Sequence, residues 1–72
     1  MIKEVWNKLT GDQRNKVTAA LILDGVSSSA VYAWSRGERA PLKLYREAMS
    51  KYINKAAGLA TTPEELWPDE YK

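Results

Sequence analysis

The side chains of this 72-residue chain with most to offer a partner crowd into one stretch, residues 25–41, GVSSSAVYAWSRGERAP. Ser27, Ser28, Ser29 and Tyr32 supply hydroxyls that donate and accept hydrogen bonds, and Arg36 and Arg39 supply forked, permanently charged donors. Neutral hydroxyls beside fixed cations suit recognition of a polyanion that also presents hydrogen-bonding edges. They do not suit catalysis. The chain holds no histidine and no cysteine, which removes the usual neutral-pH acid/base, the commonest metal ligand, and any disulfide or thiolate-metal site. The serines have no histidine partner, and lysine activation would need burial in a pocket that the sequence does not announce. Neither an enzyme activity nor a metal, cofactor or small-molecule ligand is expected.

Those residues need a scaffold, and the hydrophobic spacing supplies one made only of helices. Ile2, Val5, Trp6 and Leu9 recur at helical intervals and predict a first helix over residues 2–9. Thr10 and Asp12 are both candidate N-caps for a second helix over about residues 11–23, whose apolar stripe is Val17, Ala20 and Leu21 with Leu23 near its end. Gly25 ends it where a left-handed backbone costs glycine no Cβ clash. Ser27 then caps a third helix running to about Arg36, where Gly37 and Pro41 discourage continuation. A fourth and longest helix spans Pro41 or Leu42 to Ala57, with Leu42, Tyr45, Met49, Tyr52, Ile53 and Ala56 along its apolar face, and Gly58 stops it. The segment TTPEELWP reads as a short capped turn, with Thr62 as N-cap, Pro63 at the first helical position, Glu65 closing a capping box and Pro68 after it. Residues 1–72 are therefore expected to form a single all-α domain, a bundle of four helices plus a C-terminal helical turn. Trp6, Val31, Trp34, Leu66 and Trp67 are expected in its core.

The third helix divides sharply. At about 100° per residue and with Ser28 as zero, Tyr32, Arg36, Ser29 and Ala33 fall between about 40° and 140°, while Trp34 and Val31 fall between about 240° and 300°. One face carries hydroxyls and an arginine, and the other anchors. Taken singly, the serines read as a cap in a polar turn and the Arg-Gly-Glu-Arg run as a solvated loop. Together they have the ingredients of a helix-turn-helix whose second helix enters a major groove by its slim, serine-lined front end. The arginines at its exit would lie beside phosphates.

The stretch also resembles the turn and recognition helix of the Cro-like and lambda-repressor-like helix-turn-helix proteins of phages and bacterial regulators. Gly25, Val26, Ser27, Val31, Trp34, Gly37 and Pro41 match that pattern in order. The resemblance implies DNA-facing positions at Ser27, Ser28, Ser29, Tyr32 and Ala33, with Arg36 and Arg39 toward the backbone. It departs at Leu21, where the family usually has a small residue, and at Asp24, where it usually has an apolar one. The departures predict a shifted or looser pairing of the second and third helices.

Net charge is +2, unevenly placed: residues 1–57 carry ten Lys/Arg against five Asp/Glu, and residues 58–72 one against four. A basic body suits a polyanion. The N-terminus has no signal-peptide h-region, and no stretch approaches the ~20 apolar residues needed to span a bilayer, so a cytoplasmic protein is expected. The combined expectation is a sequence-specific double-stranded DNA-binding regulator acting by operator occupancy, with a homodimer on a palindromic site as one possibility. The rival is a helical interaction module, such as an antirepressor that binds another regulator, which the acidic tail favours.

Overall fold

A computed structural model describes residues 1–72. The chain is all-α: α1 Ile2–Lys8, α2 Gly11–Leu23, α3 Ser28–Ser35, α4 Lys43–Ala57 and α5 Pro63–Leu66, followed by a 3-10 turn at Pro68–Tyr71.

Local chemistry sets most of the boundaries. Thr10 starts α2 through a reciprocal box: its hydroxyl accepts from the Gln13 N–H at 3.1 Å, and the Gln13 side chain accepts from the Thr10 N–H at 2.9 Å. The guanidinium of Arg14 turns back and donates to the carbonyls of Trp6 and Asn7 at 3.0 and 3.1 Å. It thereby places a cation at the negative end of α1, giving Asn7 O a partner and Trp6 O a second donor beside the Leu9 N–H. Two Schellman-type closures frame α3. Before it, Gly25 at φ +95° lets its N–H reach Ile22 O and the Val26 N–H reach Leu21 O. After it, Gly37 at φ +74° lets its own N–H reach Trp34 O and the Glu38 N–H reach Ala33 O.

The core gathers Ile2 and Leu9, Val17 and Leu21, Val26, Val31 and Trp34, Met49 and Ile53, and Leu66 and Trp67. α2 packs more extensively against α4 than against α3. Leu21 is fully buried in this shared core. Asp24, at the end of α2, accepts a hydrogen bond from the hydroxyl of Tyr52 on α4. That bond, then desolvation and the charge of Asp24, raises the Tyr52 phenol above its ordinary pKa. Asp24 is itself exposed, so its charge stays in water before the turn while it also meets a donor from α4.

Three apolar expectations are corrected. Leu23 is 88% exposed: Val17 and Leu21 define the buried stripe, and the residue two beyond Leu21 points to the far side of the helix. Leu42 is 75% exposed because it is the extended N-cap of α4 rather than part of its apolar face. Trp6 is only partly buried and packs at the margin of the core.

The C-terminal segment is tied down by polar contacts that no local pattern announces. Ser50 Oγ donates to Thr61 O at 2.9 Å, and Asn54 exchanges hydrogen bonds with the Thr61 backbone through both amide atoms. Thr62 then caps α5, and Leu66 and Trp67 return to the core. Pro68, expected only to end the segment, opens the 3-10 turn, since its fixed φ suits a first helical position. Arg46, with its side chain only 12% exposed, clamps that turn: Nε donates to the Tyr71 hydroxyl, Nη1 donates to Pro41 O, and Glu70 lies 3.7 Å away.

Candidate nucleic-acid interface

α3 stands on its apolar side. Val31 and Trp34 are buried, and Trp34 stacks on Tyr45 of α4 with ring centroids 5.7 Å apart. Ser35 is buried too, its hydroxyl donating to Tyr32 O at 2.9 Å, so the helix satisfies its own polar residue on the inner side. The opposite side presents Ser28, Ser29, Tyr32 and Arg36 to solvent, with Ala33 half-buried between them.

Ser27 has a different job from its neighbours. It adopts the extended backbone of an N-cap, its hydroxyl accepts from the Ala30 N–H at 3.2 Å, and it lies 3.3 Å from the Ser29 hydroxyl. Ser27→Ala is therefore expected to lower stability by about 1 kcal/mol, the usual cost of a lost cap. Urea denaturation checks this, and unchanged stability would mean that the cap is dispensable.

Tyr32 and Arg36, one turn apart, are joined. Arg36 Nη1 donates to the Tyr32 hydroxyl at 2.9 Å, and the guanidinium carbon lies 5.0 Å from the ring centroid. Glu38 holds the other side of the same group, its carboxylate 3.0 Å from Arg36 Nε.

The exposed face continues beyond α3. A cleft of about 420 Å³ runs between α1, α2 and α3, with Ser28, Tyr32 and Arg36 on one wall and Lys3, Asn15 and Thr18 among the residues facing them. These last three went unsingled in the sequence because each sits on a polar helix face of ordinary composition. Arg14 also borders this cleft, but its donors are committed to the carbonyls of α1.

Arg39 is not brought to this cleft. The turn at Gly37 carries it to a second depression shared with Met1, Trp67, Asp69 and Glu70, so the two exit arginines face different surroundings. Lys3, Lys8, Arg39, Lys43, Lys51 and Lys55 make no ion pair. No group of three or more acidic, His or Cys side chains is placed to hold a metal ion, and no helix is long and apolar enough to cross a membrane.

Compared with known proteins, the chain matches no protein-family model, no curated protein and no solved structure.

Proposed function

We propose that this chain is a sequence-specific double-stranded DNA-binding protein of the Cro-like helix-turn-helix kind, acting as a transcriptional regulator by occupying an operator. The observation that carries this reading is the two-sided α3: Ser28, Ser29, Tyr32 and Arg36 exposed on a short helix whose other side, Val31 and Trp34, is locked into the core. A helix held so firmly from behind can enter a major groove as a rigid body. Its serines keep the leading end slim and offer hydroxyls to base edges. Lys3 and Asn15, which line the same cleft, would be the groups to meet the phosphates that flank the groove. Two copies on a palindromic site would double these contacts. The exposed leucines Leu23, Leu42 and Leu44 supply apolar surface outside the core for such pairing.

The rival reading, an interaction module that binds another regulator, draws on the same leucines and on the acidic residues Glu64, Glu65, Asp69 and Glu70. Selection of binding sites from a random DNA pool separates the two. The DNA-binding reading expects an enriched site, and it expects Ser29→Ala and Tyr32→Ala to keep the fold, since both side chains are exposed. Each variant should reduce the preference for the selected site over random DNA by about 1–3 kcal/mol. Equal preference in parent and variants would mean that this face does not read sequence, and would move the interaction module ahead.

A further inference from the structure

We propose that Tyr32, Arg36 and Glu38 form one preset reading unit in which Arg36 recognises a guanine, with Tyr32 and Glu38 as positioning residues. This deepens the DNA-binding reading and rests on it. It replaces the phosphate contact expected for Arg36 from the sequence.

The argument begins with the donors. A guanidinium has five N–H groups in a planar fork. In this chain the Glu38 carboxylate pairs with the guanidinium as an ion pair, 3.0 Å from Nε, and one Nη1 hydrogen is donated to the Tyr32 hydroxyl at 2.9 Å. Nη2 makes no hydrogen bond and Nη1 makes one, so with the Tyr32 hydroxyl on the inner Nη1 hydrogen the outer edge of the fork keeps two hydrogens side by side. That pair of parallel donors matches the O6 and N7 acceptors that guanine shows in the major groove.

Charge decides between guanine and phosphate. A carboxylate 3.0 Å from Nε largely offsets the positive charge that would draw a phosphate and itself repels a second anion. Guanine O6 and N7 are neutral acceptors, and for them direction matters more than net charge. As an exposed ion pair, Arg36–Glu38 contributes little to stability. What it fixes is orientation. An unrestrained arginine surrenders its rotamer freedom on binding, whereas the carboxylate, hydroxyl and ring face around Arg36 bias it toward one orientation beforehand. Position agrees as well: Ser28, Tyr32 and Arg36 follow one another at four-residue intervals along the exposed side of α3.

The test uses the full chain on its selected site, with 7-deazaguanine placed at each guanine in turn. This base keeps Watson–Crick pairing and loses only the N7 acceptor. At one guanine the parent should lose roughly tenfold in affinity, the weight of one hydrogen bond to a charged donor, and Arg36→Ala should lose nothing further there. Glu38→Gln and Tyr32→Phe should weaken discrimination at that same guanine while their affinity for random DNA is held or raised. Unchanged thermal unfolding should accompany all three substitutions, since the side chains are exposed. The proposal is overturned if Arg36→Ala weakens selected and random DNA by the same factor and no 7-deazaguanine position couples to it. It is equally overturned if Glu38→Gln raises affinity for all DNA uniformly without touching the guanine preference, since Glu38 would then be only a competitor for phosphate. A chain that enriches no DNA at all removes the underlying DNA-binding reading, an outcome distinct from the other two.

Discussion

Trp34→Ala is expected to destabilise the protein by roughly 3–5 kcal/mol, the range for removing a large buried aromatic. Trp34 is 8% exposed and stacks on Tyr45, so its indole is the joint between α3 and α4. Alanine there leaves a cavity on both sides of that joint. At roughly 0.05–0.15 kcal/mol per residue, a chain of this length holds only about 4–11 kcal/mol in total. The substitution therefore removes a large fraction of that stability, and at the low end all of it. Urea denaturation measures the effect. Trp34→Phe should recover part of the loss, because a smaller ring still fills some of the cavity and still faces Tyr45. A Trp34→Ala protein that melts with the parent would mean that α3 is not anchored through this residue, and the division of α3 into an anchored and a free side would fail with it.

The second large effect is on binding. Each phosphate neutralised contributes a slope of about −0.9 to the logarithm of affinity against the logarithm of salt, or about 3.5-fold for a fourfold rise in salt. Six cations make neither an ion pair nor a side-chain hydrogen bond, and if four of them meet phosphate, affinity would fall about 150-fold between 50 and 200 mM salt. Lys3→Ala should make the slope shallower by about one unit, as loss of a phosphate contact requires. Arg36→Ala should leave the slope nearly as it was if, as proposed, its contact is to a neutral base. Affinity that is flat across this salt range would remove the electrostatic part of the DNA-binding reading.

What was legible in the sequence was whatever one or two turns of chain decide among themselves. Thr10, Ser27 and Thr62 act as caps, and Gly25 and Gly37 close α2 and α3, because these hydrogen bonds join residues only three to five apart. The split of α3 into Val31 and Trp34 on one side and Ser28, Ser29, Tyr32 and Arg36 on the other follows from the helical repeat alone. Periodicity is less able to say where a stripe stops. Leu23 and Leu42 lie just outside or off the buried stripes of α2 and α4, and both are in water.

Tertiary structure decided whatever depends on a partner far along the chain. Asp24 is bonded to Tyr52, 28 residues later, and the 3-10 turn is held by Arg46 reaching Tyr71 across 25 residues. Lys3, Asn15 and Thr18 join Tyr32 and Arg36 only because α1 and α2 close against α3, and Arg39 leaves them because the turn at Gly37 sends it toward the acidic C-terminal turn. Hydrophobic period and capping residues carry no record of such pairings. They arise when burying Leu21, Met49, Ile53 and Leu66 in one core brings the polar sides of separate helices to a common edge.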